Sequence, residues 1–293
     1  MADDRTAGVI HDLGYRGYDG PREPTSSLAR SLYLTGLGHV FGLRRSGKSK
    51  VLPFLLLGLE MVPAAVLVGV LTLIGLPDLP VRYADYPNQT QVLVSLFAAA
   101  QAPVLFSRDL RYRSIVLYLA RPLSASLFAL VRWASLATAL WLFMLLPVLV
   151  LYAGALLAGL DVSEQTTDLL KALPLQVLLA ALLAGVTGTI SSWSLRRGFA
   201  VVGSIIAVLV GSGVVTTVQV IADGEGRPGV GVVAGFFSPW SLHNGIAHAW
   251  DAGVTTLTPP EGAVVAAYAA AGLAVAVACV LLLVARFRKV GER

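Results

Sequence analysis

The chain has 293 residues, 56% of them hydrophobic and 13% charged, with a mean hydropathy of +0.75 and a formal net charge of +5. Soluble domains carry about 25% charged residues, so this chain cannot cover a globule with water-compatible side chains and reads as a polytopic membrane protein. Its single cysteine, Cys279, lies in an apolar run, which excludes an intramolecular disulfide and a cysteine-built metal cluster.

Residues 1–50 are polar, turn-rich or amphipathic and contain no cleavable signal, so the first span is expected to direct insertion itself. Within them, "SLARSLYLTGLGHVFGL" (27–43) sets Leu28, Leu32, Leu37, Val40 and Phe41 at helical spacing, which predicts an interfacial amphipathic helix. "GLRRSGKS" (42–49) then fits G-x-x-x-x-G-K-[ST] through Gly42, Gly47, Lys48 and Ser49. A phosphate loop needs a preceding strand, a following helix in a soluble fold, and a magnesium-binding acid nearby. Here an apolar span follows, and the one tempting acid, Asp161, falls on the opposite membrane face from Lys48. The stretch therefore reads as a basic juxtamembrane segment meeting anionic headgroups.

A spanning helix needs about 20 mainly apolar residues. Stretches near 51–76, 90–107, 128–160, 172–194, 198–222 and 262–286 meet or approach that length, which predicts an all-α, six-span domain over 51–286. The second span is short and holds Gln101 and Pro103, and the third is long enough to start at the interface. Between spans five and six, "GVVAGFFSPWSLHNGIAHAW" is apolar but broken by Gly and Pro, which predicts an outer re-entrant or surface-lying helical hairpin over 231–251. A tail, 287–293, closes the chain.

Six spans return the chain to its starting side. Only Arg82, Lys171 and Arg227 of the 22 Lys and Arg residues then fall on the far side. Positive residues are retained in the cytoplasm, so both termini and the loop between spans two and three are expected there, in a multi-pass protein of the cell membrane. Trp133 and Trp193 fall near the inner boundary, and Trp240 and Trp250 near the outer one.

Glu60 lies well inside the first span, where a charged group costs roughly 2.5–3.5 kcal/mol on insertion scales. It is a candidate for the translocation path, for proton uptake or for pairing, and equally for a packing hydrogen bond. Gln101 and Gln219 join it as path candidates that also read as interhelical hydrogen-bond partners. His243 and His248 are five residues apart, a spacing that does not suit a helical metal pair, and with Asp251 they give no metal site. The sequon at Asn88 carries little meaning. No catalytic cluster converges on one membrane face, so no catalytic, cofactor or metal residue is assigned. Rows of small residues in spans five and six predict close helix packing, within the bundle or between subunits.

Two stretches carry a resemblance. "GYRGYDGPR" (14–22) resembles the amino-terminal signature of actinobacterial permease subunits of type-2 ABC exporters. "RDLRYRSIVLYLARPLSASLFALVRW" (108–133) is similar to that family's loop between spans two and three, with its "L-x-R-P-x-S" turn at Leu119, Arg121, Pro122 and Ser124. The six-span layout, the broken hairpin and the basic tail "ARFRKV" extend the resemblance over nearly the whole chain. It implies a transmembrane subunit that pairs with a second permease subunit, as a homo- or heterodimer, and with two cytoplasmic ATPase subunits. ATP and magnesium would then be bound and hydrolysed only in those partners, so the chain itself would not be an enzyme. The other contact is membrane lipid, with no nucleic acid. The resemblance also implies a coupling loop over 108–127, with Asp109, Arg113, Tyr118, Leu119, Arg121, Pro122 and Ser124 meeting the ATPase. Two positions depart from the family pattern: Asp109 stands where Glu is common, and Ala125 and Ser126 where a second basic residue is common. Read on their own, the loop residues also suit an elbow on the inner leaflet. The rival functional reading is an ion-coupled secondary transporter with Glu60 as proton carrier.

Overall fold

The computed structural model describes residues 20, 23–43, 45–111, 123–194, 196–254 and 256–291. Among them all regular structure is helical, and six helices are long and apolar enough to cross a membrane. A backbone in hydrocarbon has no water to bond, so each spanning segment must satisfy its own amides and carbonyls as a helix. Five prolines (Pro53, Pro63, Pro103, Pro147 and Pro174) sit inside these helices.

Helix α1, Thr25–Val40, precedes the bundle. It buries Leu32, Gly36 and Val40 and leaves Leu34 exposed, so the amphipathic pattern faces protein on one side. Polar pairs pin it to the third span: the Tyr33 hydroxyl donates to Thr138 Oγ1 at 2.9 Å, and Ser135 Oγ donates to the Tyr33 carbonyl at 3.1 Å. The helix ends at a tight turn in which Gly42 adopts φ 70°. A Cβ there would collide with the backbone of Ser49 and Lys50. Gly42 thus turns the chain tightly ahead of the first span, with no strand before it among the described residues.

The first span, α2, covers Lys48–Ile74 and stops at Gly75, whose left-handed φ of 70° lets its amide bond the Leu71 carbonyl at 3.0 Å. A short α3, Tyr86–Gln89, leads into the second span, Gln91–Arg111, built of α4 (Gln91–Leu105) and α5 (Ser107–Arg111). The third is α6, Ala125–Leu157, and the fourth is α7, Val162–Trp193. The fifth runs through α8 (Arg197–Ile205), a π-helical turn (Ile206–Val210) and α9 (Gly211–Gly224). Two short helices follow, α10 (Pro228–Gly235) and α11 (Pro239–Ala249), and α12 (Ala263–Gly291) forms the sixth.

Hydropathy placed the start of the fourth span near 172, but the helix begins ten residues earlier. Asp161 caps it by accepting the Glu164 amide at 2.8 Å, and its first turns are polar, so they carry no apolar signal. Likewise the third span begins at Ala125, capped by Ser124, which accepts the Leu127 amide at 3.2 Å. At 33 residues α6 is about 50 Å long, more than a hydrocarbon core of about 30 Å, so its ends stand outside.

The second span is the hub. Its apolar window is 72% buried, against 22% for the first and sixth spans and 28% for the fifth. Phe97 stacks on Phe143 of α6 with centroids 4.2 Å apart, and Phe287 of α12 meets Phe106 and Phe128. The less buried spans turn apolar side chains such as Leu59, Val66, Val202 and Leu281 outward.

Gly42→Ala is expected to destabilise the protein by about 1–3 kcal/mol, because it places a side chain in a left-handed, crowded turn. Gly47→Ala meets open space in a right-handed conformation and should change stability by no more than about 0.5 kcal/mol. Thermal unfolding in detergent compares the two. A phosphate loop would need both glycines.

Candidate functional site

The candidate residues fall into three levels along the bundle. At the arginine-rich end, the second span finishes in α5 and the third begins at Ala125. Asp109 and Arg132, both buried, form an ion pair at 2.5 Å between these two spans. Arg132 also lies over the Phe128 ring at 5.3 Å. Two charges removed from water need good geometry and further partners to hold, and losing one leaves the other stranded. Asp109 is therefore turned into the bundle, and Ser124 is spent as the cap of α6. The basic tail docks at the same end: Arg288 donates to Ser126 Oγ at 2.9 Å, and Arg286 donates to the Ser192 carbonyl at 3.2 Å and lies over Trp193. Ser126 is thus met by a base from the tail. Arg113, Tyr118, Leu119, Arg121 and Pro122 lie outside the described residues, as do residues 14–22 except Gly20.

At mid-depth, Glu60 is wholly buried. Its Oε1 accepts from Thr90 at 2.6 Å, and its carbonyl accepts from Tyr86 at 2.5 Å. Thr90 immediately precedes α4, so the carboxyl rests against the positive end of that helix. Glu60 Oε2 meets no hydrogen-bond partner among the described residues. Gln101 is buried in α4. Gln219 ties the fifth span to the hairpin, donating to the Gly231 carbonyl at 3.3 Å and accepting from Ser241 at 3.4 Å.

The opposite end is closed by a polar seam that sequence reading missed. Residues 83–87 fold back into the bundle and are buried, which is why the second span starts so deep. Tyr83 donates to Gln165 at 2.6 Å, Asp85 accepts the Val254 amide at 2.8 Å, and Asn244 donates to Asn88 at 3.1 Å. Arg82 reaches both the carbonyl and a carboxylate oxygen of Asp251 at 2.8 Å, and Lys171 reaches the same carbonyl at 3.3 Å. The Arg82 hydrogen bond holds the Asp251 carboxyl below its ordinary range. Asp251 itself has φ 48°, a left-handed conformation that Asp tolerates better than most residues. The only hint in sequence is "RYADYPNQT", with two tyrosines, an Asp and an Asn beside a membrane span.

The hairpin helices meet the seam from the side. Ser238 caps α11 and donates to Ser212 at 3.0 Å, just past the π turn of the fifth span. Tyr268 of the sixth span donates to the Val232 carbonyl at 2.6 Å and packs on Gly235 and Gly245. Burial holds the His243 imidazole below its ordinary pKa, while His248 is exposed, so the two histidines occupy different surroundings. No protein-family model and no curated protein matches the chain.

Arg132→Ala is expected to cost about 3–5 kcal/mol, because Asp109 stays buried without its strongest partner. The double variant Asp109→Leu with Arg132→Met should recover most of that loss. Chemical unfolding in mild detergent separates the outcomes: equal losses in both variants would mean that the pair itself stabilises.

Proposed function

We propose that the chain is the membrane-spanning permease subunit of an ATP-binding-cassette exporter. In this reading it sits in the cell membrane with both termini in the cytoplasm. It pairs with a second permease subunit and takes its energy from two separate ATPase subunits, the chain itself hydrolysing nothing. The family resemblance of residues 108–133 motivates the reading. The observation that carries it is the mounting of the loop between spans two and three. The helices that flank it, α5 and α6, are joined at the arginine-rich end by the buried Asp109–Arg132 pair.

The pair gives the loop a mechanical role. A push from an ATPase on the loop would move the ends of the second and third spans together rather than bend a free strand. The second span is the buried hub, so its displacement would reach the first, third and fourth spans at once. At the far end it would strain the seam around Tyr83, Asp85 and Asp251, which we read as the exit gate, with the hairpin of α10 and α11 beside it. Cargo would pass along the lightly buried faces of the first and fifth spans, between two subunits. Glu60, Gln101 and Gln219 are buried within one subunit, so in this reading they hold helices together rather than line the path.

One observation favours a second reading. The unpartnered Oε2 of Glu60 suits a proton carrier in an ion-coupled secondary transporter. The two readings diverge under mutation. Arg121→Glu should weaken ATPase assembly and ATP-driven transport by at least about tenfold, as a reversed charge in a coupling contact does. Glu60→Gln should leave ATP-driven transport standing. Transport that survives Arg121→Glu, ignores ATP and disappears with Glu60→Gln would establish the secondary transporter instead. Both variants are read in proteoliposomes after co-purification with candidate ATPase subunits.

A further inference from the structure

The arginine-rich end contains a cavity of about 180 Å³ that the preceding reading leaves unused. Three parts of the chain meet there. Arg45 comes from the turn between α1 and α2, Arg108 and Arg111 from α5, and Arg197 from the first residue of α8. Ser107 forms part of the lining and is fixed in place by its hydrogen bond to the Ser191 carbonyl at 2.7 Å.

Like charges do not gather without a reason, because each repels the others and loses hydration. Among the described residues, Arg45, Arg108 and Arg197 make no ion pair. Asp109, the acid that acts on the neighbouring His39, is bound to Arg132. Neighbouring groups register the excess of positive charge. The Arg45 guanidinium is held below its ordinary range by partial burial and then by Arg108 and Arg197. His39 is held down by burial and then by Arg108, Arg132 and Arg45.

We propose that this cavity binds a phosphate group, gripped by the guanidinium groups of Arg45, Arg108 and Arg197. Planar guanidinium forks match the oxygens of phosphate in pairs, and three of them offset its double negative charge. The volume suits that ligand: pockets that enclose drug-sized molecules measure roughly 300–1,000 Å³, so this one has room for a head group and little else. Its place is equally telling, where the second span ends and the fifth begins, with Arg45 three residues before the start of the first. Either an anionic phospholipid or a soluble phosphate could supply the group. Binding would cross-link the ends of the second and fifth spans and the turn after α1. The inference stands apart from the exporter reading, since it needs only the geometry of this cavity.

The test uses the full chain in neutral detergent, with thermal stability as the readout. Short-chain phosphatidic acid, inorganic phosphate and sodium chloride at matched ionic strength are titrated separately. A ligand that binds the folded form raises the melting temperature, and by more the tighter it binds at a given concentration. Phosphatidic acid, inorganic phosphate or both should stabilise the wild type beyond the chloride control. A response to the lipid alone identifies a head-group site, and a matching response to inorganic phosphate identifies a soluble ligand. The triple variant Arg45→Gln, Arg108→Gln, Arg197→Gln should lower that affinity by at least about tenfold. A triple variant removing the same charge elsewhere (Arg30→Gln, Arg227→Gln, Lys289→Gln) should keep it. If the first triple does not fold, each single variant should still weaken binding severalfold. Chloride reproducing the full shift, no shift with either ligand, or unchanged affinity in the site variants would overturn the proposal.

Discussion

Charge in hydrocarbon must be paired or kept out, and the arrangement of this chain follows from that one constraint. Most of its ionic groups stay at the two ends of the bundle. Those that enter find partners: Asp109 meets Arg132, and Glu60 is held by Thr90. Because the paired groups come from different spans, each pairing also fixes how two helices meet. The cost of burying charge thereby becomes a source of specific geometry, at the root of the loop and at mid-depth.

The two ends solve the constraint differently. At the arginine-rich end, cations outnumber acids and converge on a cavity, while the tail folds back to dock Arg286 and Arg288 on the fourth and third spans. At the opposite end, acids and cations are mixed, and neutral side chains do most of the bonding through Tyr83, Gln165, Asn88 and Asn244. An end where Arg45, Arg108 and Arg197 meet with no ion pair among the described residues invites an anionic partner. An end sewn shut by short hydrogen bonds suits a closure that can be opened and remade. Span two, buried along most of its length, joins the two.

Much of this architecture could be read from residues alone, because apolar length is a strong signal. Six helices long and apolar enough to cross a membrane appear among the described residues, although the third and fourth begin earlier than hydropathy put them. The errors have a common physical origin. The polar first turns of the fourth span, Ser163 to Lys171, carry no apolar signal although they continue the helix. The inward fold of residues 83–87 depends on partners more than 80 positions away, such as Gln165 and Val254, which no local pattern announces. Asp109 was singled out by resemblance for a surface role, yet only tertiary structure reveals Arg132 as its partner. Gln219 was named both as a path candidate and as a helix-to-helix bond, and its contacts with Gly231 and Ser241 are of the second kind.

The whole functional account depends on the arginine-rich end facing the cytoplasm, where an ATPase could reach the loop. Site-directed labelling in intact cells measures this directly, on a background in which Cys279 is replaced by serine. Arg288→Cys and Arg227→Cys place a thiol at each end of the bundle. The account predicts that a membrane-impermeant maleimide labels Arg227→Cys in intact cells and reaches Arg288→Cys only after permeabilisation. The reverse pattern would put the loop outside the cell and contradict the exporter reading.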